Sequence, residues 1–195
     1  MNPSDSRLPE IERLPNRLKE RCRILSGKPV RADAEFVIYW MHHAVRGHEN
    51  PALEVAIALG NDLDLPVLVY QGLGGNHPYN NDRHHSFILQ GARDAHRELR
   101  DHGIRAVFHL DRRGDQPSPL GQLMNRAAAL IVEDFPAPPF PVWTKRMADP
   151  CPTAVVSVDA FCLVPMQTQP KRFTRAFELR RRNQTEFERR IPLTW

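Results

Sequence analysis

Two groups of side chains in this sequence could do proton or metal chemistry. His42, His43 and His48 crowd one short stretch, and His77, His84 and His85 crowd a second. Glu133 and Asp134 stand side by side after the apolar run Ala127 to Val132. Paired carboxylates at a strand end suit general acid–base work, and equally a cap or a hydrogen bond to a ligand ring. Imidazoles at such a rim titrate close to neutral pH. A metal centre has less support: there is no His-Glu-x-x-His sequence and no cysteine at ligand spacing. Neighbours on a strand point to opposite faces, so His42 and His43 are expected to diverge. His84 and His85 diverge likewise on a helix. No metal ligand and no catalytic residue is therefore assigned.

The segment Gly72-Leu-Gly-Gly-Asn-His77 follows an apolar run and invites a phosphate-cradling reading. His77 replaces the third glycine and no helix opens there, so a flexible loop is the plain reading. No Gly-x-Ser-x-Gly elbow or Walker sequence occurs, which removes hydrolase and NTPase readings.

These residues need elements to hold them. Phe36 to Trp40 is an apolar run without alternation, as in a strand buried on both faces of a parallel sheet. Asn50 can cap the next helix and Pro51 suits its first turn. Ala52, Val55, Ala56, Leu59 and Leu63 then recur at helical spacing. The loop from His42 to Glu49 thus lies at the carboxyl end of a strand, where open α/β sheets bind ligands. An Arg46–Glu49 pair would pin it.

Further strands are expected at Pro66 to Tyr70, Ile104 to Leu110, Ala129 to Val132 and Ala154 to Val158. Helices intervene. One is capped at Asn81 or Asp82, turns Ile88, Gly91, Ala92, Ala95 and Leu99 inward, and ends at Gly103. One starts at Ser118-Pro119 and buries Leu120, Leu123, Met124 and Ala127; one surrounds Trp143 to Met147 after a proline-stiffened loop. This alternation specifies an α/β fold: an open, five-stranded parallel sheet with helices on both faces, Rossmann-like. Residues 1–33 read as a loosely ordered lead-in with a short helix near Pro15 to Cys22. Residues 34–165 form the α/β domain, and 166–195 a basic connector or tail.

Composition sets outer limits. The chain has 195 residues, is 41% hydrophobic and carries a net charge of +4, mild for a nucleic-acid binder. Arginines concentrate after Lys171, which leaves a polyanion partner open for the tail beside the plainer reading of a solvated helix. Cys22, Cys151 and Cys162 lack redox or ligand spacing and read as reduced thiols. With no apolar signal core and no membrane-length run, a cytoplasmic protein without membrane partners is expected.

The sequence resembles the N-terminal α/β (antenna) domain of the photolyase and cryptochrome family, most of all the class II cyclobutane pyrimidine dimer photolyases. The resemblance rests on YWMHHAVRGHENPAL, LPVLVYQGL, RHHSFILQGARDAHRELRDHGI, IVEDF with the helix around Trp143, and VDAFCLVP, in that order. It covers roughly Arg21 to Pro165. It implies a strand order of 3-2-1-4-5, counting the five strands along the chain. The topological switch then falls between Met41, His42, His43, Ala44 and Arg46 on one side and Glu133, Asp134 and Phe135 on the other. These eight residues become the candidate cofactor-binding set. The cofactor implied is an antenna chromophore (deazaflavin, flavin or folate) that passes excitation to FAD.

In the family FAD sits in a following helical domain, which is expected to be missing here, whether the sequence is a fragment or a shortened relative. That domain and, through the full-length enzyme, UV-damaged DNA are the implied partners, and an exposed apolar docking face is expected. No dimer splitting is expected of this chain alone. Ala137 to Phe140 stand where many relatives carry a Leu-Arg pair, which weakens any anionic antenna contact. The alternative is a stand-alone, non-catalytic module that binds a nucleotide, a flavin-type ligand or a protein partner. A third is a nucleic-acid binder acting through the arginine-rich tail.

Overall fold

The computed structural model describes residues 8–74, 81–111, 118–169 and 173–193. Its centre is a parallel sheet of β2 (Phe36–Trp40), β3 (Val67–Gly74), β4 (Arg105–Asp111), β5 (Ala127–Glu133) and β6 (Ala154–Val158). Across the sheet they run β4-β3-β2-β5-β6, the implied order. The strand count needs correction. A sixth strand, β1 (Cys22–Ile24), lies antiparallel against β6 and pairs Cys22 with Val158 and Ile24 with Val156.

The sheet is covered on both faces, which is why β2 shows no polar alternation. Val37 and Tyr39 belong to one core layer, and Phe36 and Ile38 to the other. The first layer packs under α1 (Pro9–Glu12), α2 (Asn16–Lys19), α3 (Pro51–Leu63) and Leu99 of α4 (Asp82–Asp101). The second packs under α5 (Leu120–Met124) and Ala148 of α6 (Phe140–Ala148). Each fully buried Val, Leu or Ile contributes about 1.5–3 kcal/mol.

Residues 8–24 differ from the expected loose lead-in. Leu8, Ile11, Leu14 and Leu18 are buried in the first layer. Arg21 is buried too and donates to the carbonyls of Asp159 at 3.1 Å and Cys162 at 2.7 Å. Ala127, expected on a helix face, instead begins β5, whose seven residues are all buried. At Gly103 the backbone takes a φ of +73°, the left-handed turn that ends α4. Gly72 and Gly74 lie within β3, while Gly75 to His77 of the glycine-rich segment fall outside the described residues.

The tail forms α7 (Ala176–Arg190). Arg190 ties it back to α2 through a two-pronged contact with Glu20 at 2.6 and 2.9 Å. Among the described residues, no helix is long and apolar enough to cross a membrane.

Candidate functional site

The parallel register places Trp40 beside Val132, so β2 and β5 end together. Beyond Trp40 the chain leaves strand geometry and curls around the end of β5. Three successive amides then face one carboxylate. Glu133 accepts from the N–H of His42 at 3.3 Å, of His43 at 2.8 Å and of Ala44 at 3.1 Å. The Tyr39 hydroxyl donates to it at 2.6 Å. Such an amide concavity is an anion site, and here the chain's own carboxylate fills it. Both Tyr39 and Glu133 are fully buried, so these bonds offset the cost of withdrawing a charge from water. Burial pushes the Glu133 carboxyl above its ordinary range, while the Tyr39 hydroxyl and the three amides pull it down.

Asn50 locks the other side of this turn. Its side-chain oxygen accepts from the amides of Ala52 and Leu53 at 3.1 and 3.2 Å, the expected helix cap. Its amide nitrogen donates to the carbonyls of Ala44 at 2.9 Å and Arg46 at 3.1 Å. The expected Arg46–Glu49 ion pair takes another form. Arg46 reaches the Glu49 carbonyl, at 3.0 and 3.2 Å, and the Ala160 carbonyl at 3.3 Å. Glu98 of α4 clamps the same loop, taking the Gly47 amide at 2.8 Å and His48 Nδ1 at 2.6 Å. A Cβ on Gly47 would sit 2.8 Å from the Glu98 carboxyl carbon, so a larger residue there makes the Glu98 side chain shift.

The two histidines converge instead of diverging, because strand alternation stops at Met41. His42 Nδ1 lies 2.7 Å from His43 Nδ1, and both face Glu133 Oε2, at 3.2 and 3.8 Å. Burial lowers the His42 pKa to about 4 and lowers that of His43. Aromatic rings close over the pair. Phe140 stacks on His42 and meets His43 edge-on, with centroids at 5.5 and 3.8 Å. Phe135 stacks on His43 at 4.3 Å, and Phe161 meets both His43 and Phe135 edge-on.

The eight candidate residues are thus neighbours, though they do not wall one slot. Met41 and Ala44 are wholly buried, and Arg46 is engaged with backbone carbonyls. The open space lies beside the switch point. A groove of about 500 Å³ runs between α6 and the edge of the sheet. Glu133, Asp134 and Phe135 line it, together with Arg23, Leu25 and Thr144. Asp134 is pinned there by Arg23, at 2.6 and 3.2 Å, and by Gln167 at 2.8 Å.

Several contributors had escaped sequence reasoning. Arg23 belongs to the unforeseen edge strand. Phe140 and Phe161 come from segments distant in the chain. Tyr39 carried one usable signal, since a buried hydroxyl in an apolar strand demands a partner.

The groove has the size and mixed lining of a small-molecule site, for which about 300–1,000 Å³ is usual. Apolar Ile24, Leu25, Phe135 and Ala148 offer ring contacts, and the fixed Asp134 carboxylate offers an acceptor.

Among solved structures, two universal stress protein structures from Archaeoglobus fulgidus, one in complex with dAMP, are similar at 15% identity. Their TM-scores are 0.45 and 0.43, over 65% and 64% of this chain and 99% and 93% of theirs. A deoxyribodipyrimidine photo-lyase of Methanothermobacter thermautotrophicus is 34% identical over 149 residues, 76% of this chain. The chain spans 33% of that relative's length. The family model described as DNA photolyase matches residues 37–192, which takes in β2 through α7, and this chain belongs to that family.

Proposed function

We propose that this domain is the antenna part of a light-driven DNA repair enzyme of the deoxyribodipyrimidine photo-lyase type, with class II sequence features. In this reading it works beside an FAD-binding helical domain, and UV-damaged DNA is met by the complete enzyme. The observation that carries the reading is the groove at the carboxyl end of β5, in a domain of this family. A deazaflavin, flavin or folate pigment bound there would supply light absorption.

The chain's own residues do the rest. Phe135 offers a ring edge to a flat ligand, and Asp134, held by Arg23 and Gln167, offers a fixed acceptor. The amides of His42, His43 and Ala44 hold Glu133 in place, between the buried Met41 and an Arg46 engaged with backbone carbonyls. Val142, Trp143, Phe161 and Leu163 are exposed apolar side chains on α6 and the segment after β6, a surface suited to a docked helical domain.

The test is pigment retention. The 195-residue chain is mixed separately with a flavin, a deazaflavin and a folate, then desalted, and visible absorbance is read. Retention of one pigment near one equivalent, lost in Thr144→Trp, is the expected result. A well-folded chain that retains none of the three refutes the antenna reading. Retention undiminished in Thr144→Trp places the pigment outside the groove.

A further inference from the structure

The convergence of His42, His43 and Glu133 is unexplained by pigment binding, because the groove is not lined by either imidazole. We propose that His42 Nδ1, His43 Nδ1 and Glu133 Oε2 form a binding site for one divalent transition-metal ion of the zinc class. The site does not rest on the antenna reading.

Geometry is the first support. The three donor atoms are separated by 2.7, 3.2 and 3.8 Å. A point equidistant from three atoms so spaced lies about 1.9 Å from each (the product of the sides over four times the triangle's area), against Zn–N distances of about 2.0–2.1 Å. An ion slightly out of the donor plane therefore reaches ordinary bond lengths without moving the loop.

Donor chemistry is the second. Two imidazoles and one carboxylate suit zinc and its neighbours in the first transition row, whereas calcium and magnesium prefer oxygen donors. The carboxylate is prepared for the role. Its Oε1 accepts from Tyr39 and from the His42 and Ala44 amides. Oε2 accepts from the His43 amide and turns its remaining side toward the two rings.

The surroundings are the third. Metal sites depend on neighbours that fix the ligands' orientation. Here Phe140 and Phe135 stack on the imidazoles, Trp40 meets His42 edge-on, and the amides hold the carboxylate. With three protein donors, a further position stays open for water or a ligand. Without an ion, the same contact is a hydrogen bond between neutral rings, and that is the rival to be separated.

The experiment uses the 195-residue chain. It is stripped with chelator, equilibrated with zinc, desalted and assayed for metal content, while NMR follows the histidine ring nitrogens. One equivalent of zinc with shifts confined to His42 and His43 Nδ1 is the expected result. Cobalt in place of zinc should give visible d–d bands. His43→Ala and His42→Phe should each weaken binding at least 10-fold while circular dichroism stays unchanged. Less than stoichiometric zinc in the unsubstituted chain overturns the proposal. So does ring-nitrogen movement at other histidines only, or zinc retention in either variant undiminished from that of the unsubstituted chain. Because metal content and pigment retention are measured separately, either reading can fail without the other.

Discussion

Replacing Tyr39 with Phe removes one oxygen and leaves the packing volume nearly intact. The bond lost to Glu133 is short, at 2.6 Å, runs to a carboxylate, and is buried at both ends; the Asn50 amide's donation to the hydroxyl, at 3.2 Å, goes with it. Hydrogen bonds to charged groups contribute about 1.5–3 kcal/mol, and the three remaining amides keep Glu133 from being orphaned, so about 2 kcal/mol is expected. For a domain of this size each kcal/mol moves the melting temperature by about 2–4 °C, which gives a fall of about 4–8 °C. The effect should depend on pH with a definite sign. Burial raises the Glu133 carboxyl, so its native-state proton affinity exceeds that of the unfolded chain. Stability from that group is present at low pH and is lost as pH rises through the folded-state value. The Tyr39 bond opposes this rise, and without it the carboxyl moves further up. The deficit of Tyr39→Phe should be largest near neutral pH and should shrink on acidification. Urea titrations followed by far-UV circular dichroism at several pH values measure it, with an unchanged slope as control. A cycle with Glu133→Gln should show coupling above about 0.5 kcal/mol. A deficit that grows as pH falls, or no coupling in the cycle, would refute the reasoning.

Asn50→Ala removes a helix cap and two donors to loop carbonyls together; about 2 kcal/mol of lost stability is expected by urea titration, and a loss below about 0.5 kcal/mol would show the loop self-supporting. Gly60→Ala would normally favour a helix by about 1 kcal/mol, but here the new Cβ would lie 2.7 Å from the Leu65 carbonyl oxygen. Thermal melting should fall; a rise would mean that the turn into β3 moves aside freely. Arg190→Ala cuts the two-pronged tie to Glu20, in which the arginine side chain is only 11% exposed. Chymotryptic cleavage at Phe177 and Phe187 should quicken while the sheet stays resistant, and an unchanged rate would show α7 held by other contacts.

Much of the scaffold was legible because its signals are local. The unalternating run Phe36 to Trp40, the Asn50-Pro51 start and the glycine at 103 each carry their own physical instruction. Ala154 to Val158 was placed to the residue. The edge strand Cys22 to Ile24 was not. Three residues containing an arginine have no periodicity, and their strand character comes from pairing with β6. Of the adjacent acids at the end of β5, sequence gave no way to tell which turns inward. That strand is buried on both faces, so polarity marks neither side. The Arg46 contact and the meeting of His42 with His43 depend on where the chain leaves extended geometry, and side-chain periodicity is silent about that point. The rings over the histidines come from segments far along the chain, and only tertiary folding brings them together.

The antiparallel edge has a consequence for biosynthesis. Cys22 emerges from the ribosome early, and its partner Val158 late. Until then the first strand has no neighbour, and contacts of such long sequence separation close slowly. Its brevity and the charge on Arg23 make it a poor template for a stray chain during that wait. Pairing of the edge strand therefore waits on the last parallel strand, and Arg21 fastens the join through the Asp159 and Cys162 carbonyls.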